Sequence, residues 1–407
     1  MAAGPAQVSI DVRDGLRRLA RMVLQPTFVA TQKLSASAAS EPEKPIVTLR
    51  IYEIPVGQDF VLNFELESQD LGFLLQRSTA PFGTPRADYV NDMVYERLEA
   101  ANIASTRDIA RMDLVLTAAL RPLYKALVPL EIRAKLWEHR NDIGCIQVIS
   151  SEPFIPWELM KLIEPGKQLA LDVPYLAEQG LVRWIANAGL APATLYQRKD
   201  ASHYVIPEYL DPRLKLDGLV KEHDMLIRDL AATPAPVDGV TLSYFLRAGA
   251  FDLWHFACHG DASISGVYDA SLELQDRSVD KGASFQRDRF GVTEVEAYAD
   301  FSRRAPRRPL VFVNACRTGQ SGKALVGTGG MAQAFVKCGA GAVVAAAWSI
   351  TDQPACTFAD NFYQALLGGA SLEKAVRQAR AAARTPGAPT WLAYTVYGHP
   401  YARLARD

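Results

Sequence analysis

The feature that most constrains this chain is a set of short, almost wholly apolar strands that alternate with helical segments beyond about residue 200. Leu310-Val-Phe-Val-Asn-Ala315 and Ala342-Val-Val-Ala-Ala-Ala-Trp348 show no polar-apolar alternation. A strand that is apolar on both sides has to be covered on both sides, as in a parallel sheet flanked by crossover helices. Leu253-Trp-His-Phe-Ala257 and Tyr204-Val-Ile206 read as further strands, and Tyr394-Thr-Val-Tyr397 as the strand that closes the sheet. Helices are expected between them. One covers 215–231, with Leu216, Leu219, Val220, His223, Ile227 and Leu230 on one side. Another lies near 241–248, and a third carries Met331, Ala334, Phe335 and Cys338 and ends at Gly339-Ala-Gly341. Two more cover 353–367 and 371–384, the second capped by Ser371. Residues 275–291 read as a long polar loop. The pattern predicts an α/β fold, a mostly parallel sheet with helices on both faces.

Upstream the signals differ. Residues 8–24 place Val8, Val12, Leu16, Leu19 and Val23 at helical spacing, and Ser35 to Pro45 has linker composition. Ile46 to Tyr52 and Phe60 to Leu66 read as a hairpin, residues 86–140 as helical, and Cys145 to Ser150 as a strand running into Pro153-Phe-Ile-Pro-Trp-Glu-Leu-Met160. A chain of 407 residues accommodates two to three domains. The expected division is an N-terminal helix and linker over 1–45 and a small β-rich regulatory or docking module over 46–105. A helical lead-in with the first part of the main domain follows over 106–200, and the core over 201–407.

Charge narrows the function. The 44 Lys+Arg and 45 Asp+Glu balance to −1, which excludes a general nucleic-acid binder. The five cysteines have no C-x-x-C spacing, so neither a disulfide framework nor a zinc site is indicated, and a reducing cytoplasmic setting is expected. Neither a membrane span nor a signal peptide is expected.

In open α/β sheets the chemistry sits at the carboxyl ends of strands. Two such ends carry reactive side chains: Cys258-His259-Gly260-Asp261 and Asn314-Ala315-Cys316-Arg317-Thr318-Gly319. A thiol needs a base to become a nucleophile near neutral pH, and His259, 57 residues before Cys316, can serve from a neighbouring strand end. By strand alternation Cys258 points away from His259 and reads as core, while His255 reads as a histidine satisfied inside the strand. His255, Cys258, His259 and Cys316 make a poor metal set for the same reason, so no metal is expected. Gly322-Lys323 and Gly327-Thr-Gly-Gly-Met-Ala332 lack the contexts of phosphate-binding loops, so no nucleotide cofactor is expected.

His255-Phe-Ala-Cys-His259-Gly260 resembles the H-x-A-x-H-G signature of CHAT domains, caspase-like cysteine peptidases. Pro156-Trp-Glu-Leu159, the Asn314 to Gly319 segment, Gly339-Ala-Gly-Ala-Val-Val leading to Trp348, Phe362-Tyr363 and Trp391 to Gly398 match in the same order, over roughly residues 110–405. The resemblance implies a caspase-like fold and a His259–Cys316 dyad, with an oxyanion hole from the amides of Gly260 and Cys316. It further implies substrate pairing along Trp348-Ser-Ile-Thr-Asp352, hence Ser349, Thr351 and Asp352 as substrate-binding residues. A carboxylate at Asp352 would favour Lys or Arg before the scissile bond; its competing reading is a helix N-cap. No cofactor is implied. The partners implied are a protein substrate and a sensor or activator, in a regulated effector of bacterial, including antiviral, defence or programmed cell death. A catalytically silent caspase-like scaffold is the alternative, against which the intact dyad argues. Residues 275–291 and Arg303 to Arg308 are either self-cleavage sites or solvated charge runs.

Overall fold

The computed structural model describes residues 8–14, 17–24, 45–57, 59–81, 109–151, 155–167, 173–216, 218–248, 251–261, 271–279, 285–301, 307–316, 327–346, 350, 352–384 and 390–406. They fall into two compact units, Met1–Glu43 and Lys44–Asp407. In the first, β1 (Val8–Asp14) and β2 (Arg17–Leu24) form an antiparallel hairpin that aligns Val8 with Leu24, Ile10 with Met22 and Val12 with Ala20. Strands thus stand where a helix was expected. Val8, Ile10 and Val12 also alternate at period two, and a segment carrying both periods is decided by its pairing partner.

The second unit is built on a 13-stranded sheet. It opens with β3 (Ile46–Val56), β4 (Asp59–Ser68) and β5 (Phe73–Ser78), then α1 (Ile109–Leu127) and α2 (Leu130–Glu138). Next come β6 (Cys145–Ser150), β7 (Val182–Ile185), β8 (Thr194–Gln197) and β9 (Ser202–Val205). α3 (Leu219–Leu230), β10 (Thr233–Pro234) and α4 (Gly239–Ala248) lead to β11 (Leu253–Asp261), β12 (Ser271–Ser278) and β13 (Phe285–Gly291). The chain finishes with α5 (Val292–Tyr298), β14 (Leu310–Cys316), α6 (Gly327–Lys337), β15 (Ala342–Ala346), α7 (Asp352–Leu367), α8 (Leu372–Ala383), β16 (Tyr394–Tyr397) and β17 (Arg403–Arg406).

The strand order is β10-β9-β11-β14-β15-β16-β7-β6-β3-β4-β5, and β12 and β13 attach to β11. β10, β9, β11, β14 and β15 are mutually parallel. β16 runs antiparallel to β15, and β7, β6 and β3 follow β16 in its own direction. The sheet is therefore mostly parallel, in two blocks of opposite polarity. The β-rich N-terminal strands are present, and those of 46–78 join the sheet through β3 and β6. Two expectations change here. β16 lies inside the sheet rather than closing it. Residues 271–278 and 285–291 form a hairpin, not a long loop, because β12 finds an edge to pair with on β11 beyond the reach of β9.

Alternate residues of each central strand enter one of two cores. Trp254, Phe256, Cys258, Val311, Val313 and Ala315 pack with Leu242, Val295 and Phe335 of α4, α5 and α6. Leu253, Leu310, Phe312 and Val344 pack with Leu226, Phe358 and Leu366 of α3 and α7. On α3 the inward face is Glu222, Met225, Leu226 and Leu230; Val220 and Ile227, expected inside, are exposed. The reason is a polar demand from the sheet, which Glu222 meets. Among the described residues no helix is long and apolar enough to cross a membrane.

Candidate active site

His259 lies near the carboxyl end of β11 and Cys316 at that of β14, and their Cα atoms are register partners. Adjacent strands lie about 4.8 Å apart, so two residues distant in sequence become neighbours on one rung. His259 is 2% exposed. Its Nε2 is 2.8 Å from the Leu214 carbonyl oxygen. A carbonyl only accepts, so Nε2 carries the hydrogen, and in the neutral ring Nδ1 holds the lone pair. The His259 main-chain N–H donates to the Tyr209 hydroxyl at 3.0 Å, which donates in turn to the Glu273 carbonyl at 2.7 Å. The Tyr209 and His259 rings lie 5.0 Å apart, tilted by 44°.

The two residues that hold His259 belong to the segment between β9 and α3. Leu214 ends a tight turn whose N-cap is Asp211, with the Leu214 N–H donating to the Asp211 carbonyl at 3.0 Å. The Asp211 carboxylate accepts from the Arg213 N–H and guanidinium, and this pairing pulls its pKa down to about 2. Two aspartates thus face the same short loop, since Asp276 of β12 accepts from the N–H groups of Leu210 and Asp211 at 2.6 and 2.8 Å.

Gly260 stands opposite Leu272 of β12. A Cβ there would come within 3.3 Å of Ala315 Cβ, so the close approach of β11 and β14 requires a small residue. Asp352 is the first residue of α7 and half-buried. A Cβ on Gly218 would meet Asp352 Cβ at 3.0 Å, which sets the start of α7 against the segment that joins Leu214 to α3. Ser349 and Thr351 lie outside the described residues, as do Arg317 to Leu325.

Below the rung of His259 and Cys316 runs a buried polar chain. His255, fully buried, contacts Tyr363 Oη through Nδ1 at 2.9 Å and Glu222 Oε1 through Nε2 at 2.7 Å. Asn314 donates to the same Glu222 oxygen at 2.6 Å and accepts from the Tyr394 hydroxyl at 2.7 Å. One carboxylate therefore ties β11 to β14, through His255 four residues before His259 and Asn314 two residues before Cys316. Sequence reasoning missed Glu222, Tyr209, Leu214 and Asp276. Glu222 left a trace, a carboxylate in phase with Met225, Leu226 and Leu230; the other three left none.

The remaining described thiols are poor nucleophiles. Cys258 is buried on the opposite core and burial pushes its pKa far up, as it does for Cys145. Burial raises Cys338 and Cys356 to about 11. Among the described residues no three His, Cys, Asp or Glu side chains are grouped to hold a metal.

A family model described as the CHAT domain matches residues 118–402. The chain belongs to the CHAT domain family. The chain is similar to solved structures that include the following three. The Arg-specific cysteine proteinase gingipain R aligns with 12% identity and a TM-score of 0.40, over 76% of either chain. A complex of the Porphyromonas gingivalis RgpB pro- and mature domains aligns with 12% identity and 0.40, over 79% of this chain and 78% of that one. The Saccharomyces cerevisiae separase, solved with securin, aligns with 11% identity and 0.48 over 87% of this chain, which spans only 30% of the separase chain. No curated protein matches the sequence.

Proposed function

We propose that this CHAT domain is a cysteine endopeptidase with His259 as base and Cys316 as nucleophile. The observation that carries the reading is the shared rung of His259 and Cys316 at the ends of adjacent parallel strands, with His259 Nε2–H committed to Leu214. In this reading Nδ1 takes the Cys316 proton and the thiolate attacks the peptide carbonyl. The main-chain amides of Gly260 and Cys316 receive the oxyanion, where fixed N–H donors act most strongly. The imidazolium then protonates the leaving amine, the acyl-enzyme forms, and His259 deprotonates the water that releases the new carboxyl terminus. Throughout, Leu214 holds the ring in one tautomer and accepts the hydrogen bond of the transient imidazolium. No cofactor takes part in any step.

Asp352, with Ser349 and Thr351 before it, is proposed to line the substrate groove, its carboxylate selecting Lys or Arg. The position of Asp352 beside the segment that carries Leu214 supports this assignment. We further propose that the enzyme acts on one protein partner as a regulated cytoplasmic effector in bacterial defence or programmed cell death, under a sensor or activator.

The test compares the wild-type chain with Cys316→Ala in a reconstituted host lysate by terminal-peptide proteomics. The expected result is a small set of new termini, absent with the variant, whose cleaved bonds follow Lys or Arg. Identical termini for the two chains overturn the peptidase, and termini that follow other residues overturn Asp352 as the selector.

A further inference from the structure

We propose that Asp276 is a positioning residue for His259: it holds the loop whose carbonyl sets the imidazole tautomer, and through it the β12–β13 hairpin controls the base. The proposal rests on the dyad reading above only for its effect on Cys316; its effect on His259 stands on geometry alone.

The chain of contacts is short. Asp276 is 2% exposed, and its two carboxylate oxygens accept from consecutive main-chain N–H groups, Leu210 and Asp211. Its neighbour Gln275 clamps Glu208 from both sides, accepting from its N–H at 3.0 Å and donating to its carbonyl. Glu273 on the same strand receives the Tyr209 hydroxyl through its carbonyl. β12 therefore grips four consecutive residues, Glu208 to Asp211. Three residues on, after the turn capped by Asp211, the Leu214 carbonyl takes the His259 Nε2–H. Tyr209, inside the gripped stretch, receives the His259 main-chain N–H. The hairpin in turn pairs with β11 at His259 itself, in register with Glu273. β12 thus meets His259 twice, once along the ladder and once through the loop.

A buried carboxylate that accepts two adjacent amides fixes both peptide planes, because each of its oxygens is engaged by one of two consecutive N–H groups. An asparagine in the same place offers one acceptor oxygen and turns an NH2 toward the second amide. One amide loses its bond, and the carbonyl of Leu214 is released from its aim at Nε2. The ring then samples both tautomers, and the one with hydrogen on Nδ1 cannot accept the thiol proton.

The experiment uses the full chain carrying 15N-labelled histidine, with the His259 signals assigned by their loss in His259→Gln. The wild type is expected to show a single tautomer, hydrogen on Nε2. Asp276→Asn is expected to show mixed ring-nitrogen shifts. In parallel, the rate of Cys316 alkylation by iodoacetamide at pH 7 falls about tenfold, with the thiolate profile moved to higher pH. Gln275→Ala, which removes the clamp on Glu208 and leaves Asp276 in place, moves both readouts the same way by a smaller factor, and stands in should Asp276→Asn not fold. Unchanged His259 shifts in a folded Asp276→Asn chain, or in Gln275→Ala where that chain stands in, overturn the proposal. A failure of the dyad reads differently: His259→Gln then leaves the Cys316 alkylation profile untouched while Asp276→Asn still mixes the tautomers.

Discussion

Cys316 differs from the other described cysteines in sharing a register step with a histidine, His259. Cys145 lies at the buried start of β6, where its thiol donates to the Gly180 carbonyl at 2.6 Å, and Cys258, Cys338 and Cys356 are held protonated by burial. For a thiol raised to about 11, the reactive thiolate at pH 7.5 is under about one part in a thousand, since each pH unit is tenfold. A brief exposure to iodoacetamide at pH 7.5 is therefore expected to label Cys316 first. Cys338 and Cys356 follow only as pH climbs toward 11, because burial holds both thiols protonated. Peptide mapping by mass spectrometry checks the order; labelling of Cys338 or Cys356 ahead of Cys316 would contradict it. Both ends of the rung were legible as residues, because a histidine after one apolar strand and a cysteine after another is a chemical pattern. Leu214 was not, because its contribution is a main-chain carbonyl and any residue type supplies one.

At the scale of elements, the turn Trp157 to Leu159 shows how a motif can be structural. Glu158 and Arg183 are both buried, and Arg183 Nε donates to Glu158 Oε1 at 2.7 Å while its other nitrogen reaches the Ile155 carbonyl at 2.9 Å. The pair ties the turn after β6 to β7. Nearby, burial lowers the pKa of Arg380 to about 10, so this core already carries one costly cation. Glu158→Ala would strand a second guanidinium, and the expected loss is about 3–5 kcal/mol, read as a fall in urea midpoint at unchanged slope. A loss under about 1 kcal/mol would show that water reaches Arg183. The sequence singled out Pro156-Trp-Glu-Leu159 as a motif but could not name Arg183, because the pairing depends on β6 lying beside β7. The same limit explains α3. Its apolar residues fit two faces, and the choice followed the buried His255 and Asn314 that Glu222 serves.

At the scale of the whole molecule, the sheet runs unbroken from β10 to β5, so residues 46–78 are part of the scaffold. Their buried side chains Val47, Leu49, Ile51, Leu62, Phe64 and Leu66 belong to the same core as α7. Removal of residues 1–43, a compact unit of its own, is expected to leave the melting temperature of the rest within a few degrees. Removal through residue 81 uncovers the β6 edge and the apolar face above it, and is expected to give aggregation rather than a folded domain. Thermal melts and size-exclusion chromatography of the two truncations separate these outcomes; a soluble, cooperatively melting chain lacking residues 1–81 would mark residues 46–81 as dispensable to the rest of the sheet.

What the amino-acid order determined alone was local: which segments are apolar on both sides, where strands stop, and which reactive side chains stand at those stops. These follow from periodicity and from turn residues within a few positions of one another. Only the tertiary structure decided the strand order, the reversal of polarity at β15 and β16, and the loop that carries Leu214 to His259. The physical reason is the same in each case. A main-chain donor or acceptor, or a carboxylate such as Glu222 or Asp276, acquires its role from a partner tens of residues away, and that partner is chosen by packing.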